Sequence, residues 1–148
     1  MKTRILGLAA VALALVLPLG VQAQRNMPGA PYAGGSGKKV TTEEALKQAP
    51  KDDPSLAPLD KAFNSAAAAL KKSPKDAKAK KAYVEAAFKY GKTCEDNVSG
   101  KLSRPVQYRA ALALYRKALA VDPKHKSSME EKQKIEDIYK SMPGGVPK

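Results

Sequence analysis

Apolar residues recur at helical spacing in five stretches of this chain, and no stretch shows the strict alternation of a half-buried strand. The first stretch opens at Thr41-Thr42-Glu43-Glu44. There the Thr41 hydroxyl can accept from the amide of Glu44 while the Glu44 carboxylate reaches back, forming a capping box. Pro50 lacks the amide proton that an inner helical turn needs, so a short helix is expected to end there. A second helix is predicted from about Leu56 to Lys72. Pro58 suits its first turn, Leu59, Ala62, Phe63, Ala66, Ala69 and Leu70 fall at helical spacing, and Ser73-Pro74 terminates it. The third runs from about Asp76 to Tyr90. Ala79, Ala82, Tyr83, Ala86, Ala87 and Tyr90 form its packing face, Val84 and Phe88 lie to the side, and Gly91 is its expected stop. The fourth spans about Pro105 to Ala120, with Tyr108, Ala111, Leu112, Tyr115, Ala118 and Leu119 in period and Asp122-Pro123 closing it. The fifth is expected to start at Ser127 or Ser128, each followed three residues later by a glutamate. Met129, Ile135, Ile138, Tyr139 and Met142 line it, and Pro143-Gly144-Gly145 stops it. The expected fold is all-α, with about five helices in one domain over 41–142.

Both flanks break this pattern. Lys2 and Arg4 precede an apolar run from Ile5 to Leu19, and Val21-Gln22-Ala23 puts small residues at the cleavage positions before Gln24. The run is about 15 residues, short of the roughly 20 that span a bilayer as a helix. The expectation is a signal peptide over 1–23, cleaved near Ala23–Gln24, and an exported protein, periplasmic or secreted. An uncleaved anchor is the alternative. No cysteine follows the run to carry a lipid. Residues 24–40, rich in Pro and Gly, read as a flexible linker, and 143–148 as a flexible tail.

Charge narrows the partners. The chain carries a net +13 at pH 7, and removing Lys2 and Arg4 leaves +11. Outside the cytoplasm such a charge favours lipid headgroups, anionic glycans or acidic proteins over nucleic acid. Lys71, Lys72, Lys75, Lys78, Lys80 and Lys81, relieved only by Asp76, form the densest patch, without the aromatics that stack single strands. The alternative is a solvated Lys-rich helical surface.

The chemistry of a catalyst is not legible. His125 stands alone in a turn between Lys124 and Lys126, with no second His or Cys at zinc spacing. No nucleophile elbow, P-loop or metalloprotease motif occurs. The adjacent acidic pairs at 52–53, 95–96, 130–131 and 136–137 point about 100° apart on a helix and do not converge on one site. The single thiol, Cys94, can form no internal disulfide. It reads as a small core residue, or alternatively as a reactive or intermolecular thiol. Asn97-Val98-Ser99 matches a glycosylation sequon, a short pattern expected by coincidence. No enzyme, cofactor or metal is expected.

The stretch Ala111, Tyr115, Ala118, Asp122-Pro123 resembles the second helix of a tetratricopeptide repeat, and Ala62, Ala66, Ala69 and Pro74 echo its spacing without the aromatic. Tyr83, Ala87 and Tyr90 fit the repeat's first helix. From Pro74 to Pro123 the spacing is 49 residues, against a regular period of about 34. The excess falls in 91–104, as an insertion or as a longer third helix followed by a loop. The resemblance implies antiparallel helix pairs in a short right-handed superhelix that binds protein or peptide partners. A generic small bundle is the alternative. Carried onto the matching third helix, it nominates Lys81, Val84, Phe88 and Lys92 as partner-binding residues. Val84 and Phe88 replace polar residues used by grooves that clamp a C-terminal carboxylate, so that role is not implied. The expected function is an exported, non-catalytic mediator of protein–protein contacts in the cell envelope. The alternatives are a cationic protein attaching to an anionic envelope surface, and a small subunit of a larger assembly. Two helix pairs and a terminal helix make a small core, so stabilisation by a partner or by self-association is also expected.

Overall fold

Five α-helices and one 3-10 turn build the described residues, 40–148, of the computed structural model. They are α1 (Thr42–Asp52), the turn Pro54–Leu56, α2 (Ala57–Lys72), α3 (Ala77–Asp96), α4 (Arg104–Val121) and α5 (Lys126–Lys140). The described residues contain no strand, so the fold is all-α. The expected signal segment 1–23 and residues 24–39 of the expected linker lie outside the described residues. No helix among the described residues is long and apolar enough to cross a membrane.

Helix α4 is the axis of the molecule. Every residue from Ala110 to Tyr115 is buried, so α4 is apolar all round and needs cover on more than one side. Helices α1, α3 and α5 supply it. α3 and α4 run antiparallel: Phe88, Gly91 and Glu95 meet Tyr115, Leu114 and Gln107 in reverse order along α4. Outside this layer α2 packs on α3 and the 3-10 turn, with Phe63 set against Tyr83 and Tyr90 at ring distances of 5.2 and 6.4 Å. A superhelix of stacked pairs would place α1 beside α2. Instead α1 buries Ala45, Leu46 and Ala49 in a shared core and packs on α4, because α4 has more apolar surface than α3 and α5 cover. The alanine echo differs in the same way. Ala111 and Ala118 are fully buried, whereas Ala62 and Ala69 are exposed, and the inner face of α2 is Leu59, Phe63, Ala66, Ala67 and Leu70.

Several boundaries differ from the expected ones for local reasons. The Thr41 capping box forms as expected, with Glu44 N to Thr41 Oγ1 at 3.2 Å and Thr41 N to Glu44 Oε2 at 2.8 Å. Pro50 does not end α1. It sits in the last turn, where one lost amide bond is tolerated, and the Asp53 amide still reaches the Ala49 carbonyl. Gly91 does not stop α3, which runs on to Asp96 and ends at Asn97, a left-handed residue with φ 42°. Ser127 and Ser128 do not cap α5. His125 does, its Nδ1 accepting from the Ser128 amide at 3.3 Å, while Ser128 itself is buried.

The excess of 91–104 is thus a longer α3 followed by a pinned loop. The Asn97 carboxamide accepts from Leu102 N at 3.1 Å and donates to Leu102 O at 2.9 Å. The Ser99 hydroxyl donates to Asp53, whose other oxygen accepts from the Ser55 amide and hydroxyl, tying this loop to the α1–α2 junction. Both polar ends of the sequon are therefore used inside the fold. The 143–148 segment, expected as a flexible tail, folds back instead. Val146 packs against the core, and the carbonyls of Pro147 and Lys148 accept from Arg116 and Thr42.

Candidate functional site

The four nominated residues of α3 do not form one open surface. Lys81 is exposed. Val84 is 4 % exposed and belongs to the core, so it offers a peptide nothing to grip. Phe88 is half-buried, with its ring 5.9 Å from that of Tyr115 and edge-on to His125 at 5.4 Å. Lys92 is committed to carboxylates, at 3.7 Å from Glu95, 3.1 Å from Asp96 and 3.8 Å from Glu131. The expected apolar anchor pair is therefore packing for α3 against α4 and the α4–α5 turn.

A polar cluster missed by the sequence reading lies at the other end of that face. Tyr115 Oη donates to Glu95 Oε2 at 2.6 Å across the α3–α4 interface. Burial pushes the Glu95 carboxyl up, and the Tyr115 hydroxyl and Lys92 only partly offset this. Burial pulls the Lys92 ammonium down, but Asp96, Glu95 and Glu131 outweigh it and hold it above its ordinary value. The adjacent acids 95 and 96 diverge from each other yet both reach Lys92, one at i+3 and one at i+4. The missing signal was that third residue one turn back. Among the described residues no His, Cys, Asp and Glu side chains gather in a set of three suited to a metal. Cys94 is fully buried, and burial pushes its thiol up to about 12. That closes the reading of Cys94 as a reactive or intermolecular thiol, since the thiolate is the nucleophile.

The α2–α3 hairpin end has the opposite character. Lys71 and Lys72 finish α2, Lys75 lies in the turn, and Lys78, Lys80 and Lys81 occupy the start of α3; all six are exposed. Every acidic residue of the chain lies between Glu43 and Asp137, and none forms an ion pair with these six. The ion pairs among the described residues join α1, the last turns of α3, α4 and α5, through Lys92, Arg116, Lys117, Lys126, Lys132, Lys134 and Lys140. At the hairpin Asp76 serves as the cap of α3, accepting from Lys78 N at 2.9 Å, and the first turn of α3 contains no acid. Cations there face the positive end of the helix dipole as well as one another. The arrangement concentrates uncompensated positive charge on a convex tip with no large apolar side chain to insert. It can attract an extended anionic surface and holds no pocket for a small anion. Comparison with protein-family models, curated proteins and solved structures found no match to this chain.

Proposed function

We propose that this protein is an exported, non-catalytic binding protein that docks through the α2–α3 hairpin end on an anionic envelope surface. One observation carries the reading: six exposed lysines share one end of the molecule without a carboxylate partner, while the lysines of the opposite end are paired. Phosphate-bearing headgroups and acidic glycans present the same chemistry to such a tip. Attraction of this kind is long-ranged, weakly specific and screened by salt.

The test is sedimentation of the mature chain with vesicles of neutral lipid, or of neutral lipid doped with an anionic one, over a salt series. Binding to the doped vesicles is expected to fall steeply with salt. It is expected to drop at least tenfold when Lys71, Lys72, Lys75, Lys78, Lys80 and Lys81 become glutamine. A control variant, Lys134→Gln with Lys140→Gln, removes paired lysines and should bind as the parent does. If the hairpin variant and the control bind equally, the reading is wrong.

The tetratricopeptide-like adaptor is a second reading, supported by α4. There Ala111 and Ala118 are fully buried beside Tyr115, the small-large-small packing that lets two helices approach closely. The burial of Val84 and the cover over Phe88 leave that reading without its nominated anchor.

A further inference from the structure

The 143–148 segment behaves as a bound peptide. It has no helical turn of its own beyond the Met142–Gly145 bend. Three contacts hold it. Val146 is half-buried against the core, the Pro147 carbonyl accepts from Arg116 Nη1 at 2.8 Å, and the Lys148 carbonyl accepts from Thr42 Oγ1 at 3.0 Å. The receiving surface does not depend on the segment. Thr42 belongs to α1, and Arg116 on α4 is also tied to Glu136 of α5, with Nη2 to Oε1 at 3.2 Å. The recognition reads main-chain carbonyls and one aliphatic side chain, features present in every copy of the chain.

The connection is a hinge. Gly144 and Gly145 take φ of 107° and 64°, a backbone that other residues adopt only under strain. A Cβ on either glycine would meet nothing within 4 Å, so conformation and not space is what these positions require.

We propose that the surface formed by Thr42, Arg116 and the core beneath Val146 is a docking site for this segment from a second copy of the chain. In the single molecule its own segment fills the site. Reciprocal exchange then makes a dimer in which each copy completes the other's site, a low-cost route because both states contain the same contacts. Through so short a connection the segment's own effective concentration is on the order of millimolar, so the parent chain is a monomer at micromolar concentration.

Alanine at both glycines tests the proposal cleanly, since it strains the folded-back hinge while an extended, exchanged hinge needs no positive φ. Analytical ultracentrifugation of Gly144→Ala/Gly145→Ala is expected to show a dimer whose dissociation constant is lower than the parent's by on the order of tenfold or more. Ending that variant after Met142 should return it to a monomer. Thr42→Val in the same background removes one donor at constant shape, and should weaken the dimer severalfold. Helical circular dichroism unchanged throughout keeps folding failure from imitating the result. The proposal is overturned if the double alanine variant stays monomeric up to millimolar concentration, or if its dimer survives the loss of 143–148. The vesicle experiment reads a separate surface, so either proposal can fail without the other.

Discussion

The closest contact between α3 and α4 turns on Gly91 and Tyr115. A Cβ at 91 would lie 2.8 Å from Tyr115 Cε1, 3.1 Å from Cδ1 and 3.3 Å from Leu114 Cβ. The ring cannot swing away, because it is fully buried and its hydroxyl is held by Glu95. Gly91→Ala gains about 1 kcal/mol of helix propensity but overpacks the interface by about 1–3 kcal/mol. A net loss of about 1 kcal/mol in urea unfolding is expected, and a net gain would show that the helices simply separate. Removing the hydroxyl tests the same contact electrostatically. The folded Glu95 carboxyl titrates above its ordinary value of 4.5, chiefly through burial, so its contribution to stability is full below that value and is lost as pH rises through the folded value. Tyr115→Phe removes a bond that favours the ionised carboxylate, which moves the folded value higher still and deepens the loss. The variant should be about 1–3 kcal/mol less stable than the parent at pH 7, with a smaller deficit at pH 4. Comparing the two proteins at each pH cancels the opposite slope of Glu136, whose carboxyl Lys132 and Arg116 hold below its ordinary value against the pull of burial. An equal deficit at both pH values would mean that the hydroxyl serves packing alone.

At the scale of elements, the five helices were legible because each combines a periodic apolar face with a terminator, and α2 and α4 end where Ser73-Pro74 and Asp122-Pro123 place them. What was not legible is how neighbouring elements reinterpret a residue. Gly91 and Pro50 are stop signals by intrinsic propensity. Tertiary packing overrides both, one because a bulky ring needs the space and the other because a last turn forgives a missing amide. His125 looked like a stray surface imidazole, yet it caps α5 and meets Phe88, two roles that appear only when the α4–α5 turn lies over α3. Val84 was placed beside the packing face because α3 was given one neighbour. With α2 on one side and α4 on the other, that position is core. The 143–148 segment has a linker's composition and carries no periodic signal, so its docking on Thr42 and Arg116 could be seen only in three dimensions.

Across the whole molecule charge is divided between two ends. One end neutralises itself through ion pairs on α3, α4 and α5, and the other leaves Lys71 to Lys81 opposed only by Asp76. Self-repulsion and the positive end of the α3 dipole make the second end a stability cost that a bound anionic surface would relieve. Such a cost is the expected mark of a surface kept for binding, and it predicts that stability and binding move in opposite directions. Lys78→Glu with Lys80→Glu places acids where α3 has none in its first turn. This variant is expected to melt a few degrees higher than the parent at low salt while losing most of its affinity for anionic vesicles. Raising the ionic strength should narrow the difference in Tm, because the repulsion that the variant removes is already screened in the parent. If the variant melts no higher at low salt, the six lysines are far enough apart to ignore one another, and their clustering loses its energetic meaning. If it melts higher and still binds anionic vesicles as the parent does, the repulsion is real but the docking surface lies elsewhere.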